Sequence, residues 1–382
     1  MKILVIAATP FFSDRGCHLR IANEALGLKK LGHSIRICTY HHGKNLSALD
    51  IQRISPSNWY QKTSPGFAWG KFWLDWKLLL LVRKQLRIFS PDLLHCHLYE
   101  GLALGFLAQL FSKKKLPLVG DLQGDLTDEF KKYHPQKKFL PQILFPFANF
   151  FLKKATALII SSQRGQIFLK KKYPALKKIS VIQDGINLNF FSAGKLPLNL
   201  LTQKELEKIK TWKKDARLLI YAGGLSSAKG ITELFLFFGK NFAKNDGWKL
   251  LIFGNGEEKA FLQKTLSEEN WSEKIYLAEQ SNYDQLPAYL QLADLAIDPK
   301  TATSESSGKL PIYMASGLPI ICFDNSFNRD KLKEQGYYFQ DWLSFQKILL
   351  HFQPRQPSYD LTDLDNQKEI KKLESLMKKT LH

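Results

Sequence analysis

Residues 295–324, LAIDPKTATSESSGKLPIYMASGLPIICFD, run from an apolar strand through a Ser/Gly loop into a helix and a second apolar strand. The loop carries Ser304, Glu305, Ser306, Ser307, Gly308 and Lys309 and opens onto a helix that continues with Leu310. Free backbone N–H groups and the dipole at a helix start favour an anion, so the pattern points to a nucleotide phosphate. Glu305 is the only acid between Asp298 and Asp324. Amid hydroxyls and glycine it can accept hydrogen bonds from sugar hydroxyls. Any strand–loop–helix–strand unit also needs a polar loop and a cap, so this stretch alone supports a phosphate site and a plain turn about equally.

Two further loops offer related chemistry. In GGLSSAKG, Gly223 and Gly224 let the backbone approach a ligand, while Ser226, Ser227 and Lys229 supply donors beside a helix start. That set suits a diphosphate, although it is neither a Walker P-loop nor a GxGxxG fingerprint. In FGNGEE, Gly254, Asn255 and Gly256 permit a tight turn, which either lies against a base or ribose or simply joins strand to helix. In the first half, His95 and His97 point to one face of their strand with Glu100 at its end. They line an acceptor side or fill the wall of a cleft.

The elements that must position these loops are parallel strands alternating with helices. Each half opens alike: Lys2–Pro10, a loop, a helix over 18–31 and Ser34–Tyr40; then Arg217–Gly223, a loop, a helix over 230–240 and Lys249–Phe253. Further Ile/Leu/Val-rich runs at 92–97, 117–122, 157–162, 178–183, 274–279, 295–299 and 319–324 indicate sheets buried on both faces. The expected fold is α/β, with two doubly wound Rossmann-like domains facing across a cleft and ligands at the C-terminal strand ends. We expect residues 1–190 to form the first domain and 191–365 the second. The last helix, within 366–382, is expected to cross back to the first domain.

Composition narrows the class. The chain has 382 residues and is 45% hydrophobic, enough for two cores, since single cores rarely grow beyond ~250 to 300 residues. Cys17, Cys38, Cys96 and Cys322 show no CxxC pair and no regular spacing, which argues against a disulfide framework or a zinc site and for a reducing cytosol. MKILVIAATP is too short for a signal-peptide core, and no stretch reaches the ~18 uncharged apolar residues of a membrane span.

Charge is lopsided. Residues 1–190 hold 29 Lys/Arg and 11 Asp/Glu, whereas 191–382 hold 26 and 24, so the net +20 lies almost wholly in the first half. There, Trp59, Tyr60, Phe67, Trp69, Phe72, Trp73 and Trp76 stand among Lys71, Lys77, Arg83, Lys84 and Arg87. Lysine and phenylalanine mix again over 130–154. Such surfaces lie on anionic bilayers, each cation being worth ~1 kcal/mol. Burial of the aromatics is the competing reading. Nucleic acid would use the same charge, but no recognition helix or RNP or OB-type signature accompanies it.

Four motifs in order resemble those of the retaining glycosyltransferases of family 4, with the GT-B fold. VIQDGINLNFF resembles their P-N-G-V-D…F motif, YAGGLSSAKGI resembles G-R-L-S…K-G, LLIFGNGEE resembles G-x-G-P-E, and SSGKLPIYMASGLPII resembles S-x-x-K-x-x-E-Y-M-A-x-G-x-P-V-V. LGHSIRICTYHHG and DLLHCHLYEG match the first half more loosely. The resemblance implies a nucleotide-sugar donor of UDP or GDP type and no obligatory metal. It implies that Lys229 meets the diphosphate, and that Glu305 with the Ser307, Gly308, Lys309 and Leu310 backbone meets the sugar and phosphates. Gly16 lets the first-domain loop close over them. An arginine usual in the family is replaced by Gly224, leaving Lys229, helix starts or Arg15 to balance charge, and a ribose-binding glutamate falls at Ile312. Asp121 takes the strand end where many members carry a histidine facing the sugar. There it either serves an acceptor hydroxyl or an oxocarbenium-like transition state, or caps the next helix.

The sequence therefore predicts transfer of a sugar, with retention, to a lipid-linked or envelope-glycan acceptor at the cytoplasmic face of the inner membrane. Asp121, Lys229 and Glu305 are the expected catalytic groups. Arg15, His18, His97, Glu100 and Gln123 are expected on the acceptor side, with no metal and no nucleic acid. A weakened relative serving as a binding subunit, a GT-B epimerase and a basic nucleic-acid-binding protein are the alternatives.

Overall fold

The computed structural model describes residues 1–382 apart from 13–15, 57–68, 111, 113–114, 124–139, 177, 187, 189–190, 192–197, 243–246, 280–282, 302–306 and 382. The chain divides into two compact units, Met1–Gly185 with Asn366–His382, and Ile186–Asp365. The change-over comes ahead of the expected residue 190. Its physical reason is that the Ile186 N–H donates to Leu364 O and Ile186 packs into the second core.

The first unit is built on strands β1 (Lys2–Ala7), β2 (Ser34–Thr39), β3 (Asp50–Arg53), β4 (Leu93–His97), β5 (Leu118–Leu122), β6 (Ala157–Ile160) and β7 (Ile179–Val181). They form one parallel sheet in the order β3-β2-β1-β4-β5-β6-β7. Alternate residues face opposite cores, as a pleated strand requires. Leu4, Ile6, Leu94 and Cys96 join one core with helices Trp69–Ile88, Leu98–Gln109 and Leu140–Lys154. Ile3, Val5, Leu93 and Val119 join the other, under helix Gly16–Lys30. The closing helix, Asn366–Thr380, buries Ile370, Leu373 and Met377 in that second core. A Cβ on Gly27 would meet the Ile370 side chain at 2.5 Å, so glycine sets how near the two helices approach.

The second unit carries β8 (Arg217–Ala222), β9 (Trp248–Phe253), β10 (Ile275–Leu277), β11 (Leu295–Asp298), β12 (Ile320–Phe323) and β13 (Gly336–Phe339). Their order is β10-β9-β8-β11-β12-β13, again parallel. Chain direction across the sheet reverses between β8 and β11, the position where open α/β sheets bind ligands beyond the carboxyl ends of their strands. Among the described residues no helix is long and apolar enough to cross a membrane.

Candidate active site

In the second unit, glycine lets three loops meet at the ends of β8, β9 and β11. Gly223 N–H donates to Phe253 O, Leu225 N–H to Asn255 O, and Glu258 N–H returns to Leu225 O. A Cβ on Gly254 would sit 1.9 Å from Gly223 O, and one on Gly256 would sit 2.2 Å from Leu225 O. Backbone therefore lies directly on backbone. A Cβ on Gly230 would meet Pro299 O at 2.5 Å, which ties the loop before helix Ile231–Asn241 to the one after β11. Gly224 opens into free space, so the position that carries an arginine in the resembled pattern leaves room above it. Ser226, Ser227 and Lys229 lie in the turn leading to that helix, Ser227 exposed and Lys229 half-buried. Asn255 is exposed, with its side chain accepting from Gly256 N–H.

Tyr313 fastens the floor of this site. Its buried hydroxyl accepts from Ala222 N–H at 2.8 Å and lies 3.3 Å from the Ile297 carbonyl, joining the ends of β8 and β11. Burial pushes its phenol well up. Lys309 starts the short helix Lys309–Ala315 but does not present a free ammonium to a phosphate. Its Nζ lies 2.7 Å from Oδ1 of fully buried Asp298 and over the Tyr221 ring, and its stem runs against Gly223. Burial alone would raise the Asp298 carboxyl, but the Lys309 ammonium outweighs it and holds it below its ordinary range. Ser307 and Leu310 are buried, and Gly308 precedes the helix with open space around it. Glu305, with Ser304 and Ser306, lies outside the described residues.

The first unit contains a buried polar cluster. Pairing of β4 with β5 sets His97 beside Asp121, and period-2 alternation brings His95 to the same face. Helix Gly16–Lys30 lays Arg20 and Glu24 over them, one turn apart. Arg20 Nε and Nη2 donate to Asp121 Oδ2 and Oδ1 at 2.7 and 3.1 Å, and Nη1 reaches Asp184 at 2.6 Å. His97 Nδ1 lies 3.2 Å from Asp121 Oδ2. Burial alone would raise the Asp121 carboxyl, yet Arg20 and His97 hold it far below its usual range. Burial and the negative charge of Asp121 push the Glu24 carboxyl well up against the pull of Arg20, and burial with His97 lowers His95.

This placement changes several expectations. Asp121 is fully buried with both oxygens on Arg20, and the segment after it that it was expected to cap lies outside the described residues. His18 is buried, with Nε2 2.7 Å from Thr9 Oγ1, and His97 is equally enclosed. Neither stands on an open surface, because His18 is on the buried side of its helix and His97 is on the sheet face that this helix covers. Glu100 pairs with Lys71, and Gln123 is half-buried near His97. Gly16 begins its helix with free space around it, and Arg15 lies outside the described residues. Arg20, Glu24 and Asp184 had escaped the sequence reading. The Arg20/Glu24 spacing of four, on the same buried side of the helix as Ile21, Ala25 and Leu28, was the available signal.

A family model described as Glycosyl transferases group 1 matches residues 202–341, and one described as Glycosyltransferase Family 4 matches residues 16–190. The chain belongs to glycosyltransferase family 4. It is 23% identical to the alpha-monoglucosyldiacylglycerol synthase of Acholeplasma laidlawii over 375 residues, 92% of this chain and 87% of that one. Its fold matches sucrose-phosphate synthase of Thermosynechococcus elongatus with a TM-score of 0.73 at 15% identity, over 99% and 97% of the two chains. HepE of Anabaena, in complex with UDP and glucose, matches with a TM-score of 0.74 at 14% identity, over 99% of each chain. This family 4 member is thus a nucleotide-sugar-dependent glycosyltransferase of the GT-B fold, and the three glycine-joined loops are its candidate donor site.

Proposed function

We propose that this glycosyltransferase transfers a sugar, with retention, from a UDP- or GDP-type donor to a lipid-linked or envelope-glycan acceptor at the cytoplasmic face of the membrane. The observation that carries the acceptor reading is an exposed aromatic and cationic surface on the first unit. Phe72, Trp73 and Trp76, the latter two 45% and 54% exposed, stand out from helix Trp69–Ile88, with Lys77 over the Trp73 ring. Phe147 and Phe150 stand out from helix Leu140–Lys154, with Lys154 over Phe150. Large aromatics left in water beside cations suit an interface with anionic lipid. The relative from A. laidlawii, named for a glycolipid product, supports the same acceptor class.

In this reading, Lys229 and the backbone donors of the Gly223–Gly230 loop stabilise the leaving diphosphate, and no obligatory metal assists. Glu305 orients the sugar. Asp121 acts as a positioning residue for His97 and the β5 end instead of touching the reacting atoms. Vesicles holding diacylglycerol or a polyprenyl phosphate, with and without anionic lipid, should be incubated with UDP- and GDP-sugars and the product anomer read by NMR. Product with the donor's anomeric configuration, formed faster on anionic vesicles and slowed by Trp73→Ala/Trp76→Ala, is expected. Turnover on soluble glycans alone, indifferent to vesicles, would overturn the acceptor assignment.

A further inference from the structure

Four polar atoms of this cluster have no hydrogen-bond partner: both carboxylate oxygens of Glu24, His95 Nε2 and His97 Nε2. Their residues are 4%, 1% and 0% exposed, so water does not satisfy them from bulk. Buried polar atoms in native proteins are nearly always paired. Glu24 Oε2 lies 3.5 Å from His95 Nε2 and 3.8 Å from His97 Nε2. These gaps are long for hydrogen bonds. They are near the ~3.3 Å that separates ligand atoms around a tetrahedral zinc with bonds of about 2.0–2.1 Å.

We infer that Glu24, His95 and His97 form a buried site for one divalent transition metal of the zinc class, with a structural role independent of the transfer reaction. His97 Nδ1, 3.2 Å from Asp121 Oδ2, donates its proton there and leaves the Nε2 lone pair for the metal. That is the carboxylate–histidine–metal arrangement by which proteins orient a ligating imidazole. Arg20 meets Glu24 through the other carboxylate oxygen, Oε1, leaving Oε2 turned to the histidines. Two imidazoles with one carboxylate select zinc or cobalt over magnesium or calcium. The four residues Glu24, His95, His97 and Asp121 offer ligand atoms all within 4.8 Å of one another.

The test uses the full chain without an affinity tag, stripped by a chelator and then titrated with zinc or cobalt(II). One equivalent of cobalt with the visible absorption of a tetrahedral centre is expected, together with a rise in Tm that magnesium does not give. Glu24→Gln should weaken binding tenfold or more, and Asp121→Asn more modestly. His41→Ala/His42→Ala removes a pair of histidines elsewhere in the unit and should leave binding unchanged. The proposal fails if folded, stripped wild-type protein takes up no metal, if its cobalt is octahedral, or if uptake is lost with His41 and His42. Each of these outcomes is read without an activity assay and leaves the glycosyl-transfer reading untouched.

Discussion

Lys309 turns its ammonium inward onto Asp298, and its replacement by methionine tests whether that ion pair or a donor phosphate is its partner. Its ammonium lies 2.7 Å from Asp298 Oδ1 in a site where Asp298 is fully buried and Asp298 Oδ2 has no hydrogen-bond partner. At an effective dielectric of about 20 this separation corresponds to roughly 6 kcal/mol of attraction, much of it offset by desolvation of both groups. Removing only Lys309 strands the carboxylate, for which about 3–5 kcal/mol is usual. Lys300 and Ser307 also favour the Asp298 anion, so a loss near about 3 kcal/mol, the lower end of that range, is expected. Lys309→Met/Asp298→Asn should recover at least about 2 kcal/mol of it, because neither partner is then charged. Urea unfolding of the four proteins measures the coupling, and thermal shift with UDP-sugars measures donor binding in parallel. If Lys309→Met changes stability by less than about 1 kcal/mol and Asp298→Asn does not compensate, while donor binding disappears, the ammonium belongs to the phosphate and the ion-pair reasoning is wrong.

Lys229→Ala should weaken UDP- or GDP-sugar binding about tenfold to a hundredfold in apparent Kd, the worth of a charge-assisted hydrogen bond, read as a smaller thermal shift. Gly254→Ala, whose Cβ would meet Gly223 O at 1.9 Å, should cost at least about 2 kcal/mol and abolish donor binding. Gly224→Arg, entering free space, should keep stability and tighten the donor about tenfold, as read by calorimetry. Burial raises the Asp75 carboxyl to about 6 against the opposing hydrogen bond from Tyr40. The folded state thus holds that proton more tightly than the unfolded one, and stability is lost as pH rises from about 4 through about 6. Asp75 is partly exposed, so Asp75→Asn should add only about 1–2 kcal/mol at pH 7 and almost nothing below pH 4 in urea unfolding.

The interior strands were legible because each is a short run of Ile, Leu and Val between turn residues, a pattern that only burial on both faces explains. β3 and β13 were not, and both are edges of their sheets. DIQR at β3 is polar and half-buried along its whole length, and GYYF at β13 begins with a glycine; neither carries the apolar signature that marks an inner strand. The donor loops were legible for a different reason. Gly230, Gly254 and Gly256 record close backbone approach, and that constraint is local enough to be written into one residue type.

The charged groups inside the first unit follow another logic. Asp121 read as an acid at a strand end with an acceptor, a transition state or a helix cap to serve, because its partner Arg20 lies 101 residues away on a helix. A buried carboxylate is tolerable only when paired, so its burial and its partner are a single fact that the fold alone supplies. Lys309 shows the same rule over a shorter distance. Asp298 ends β11 and Lys309 starts the next helix, so the loop between them folds a cation onto an acid that the strand has already buried. Glycine positions could thus be read one at a time, whereas each ionised side chain had to wait for its counter-charge.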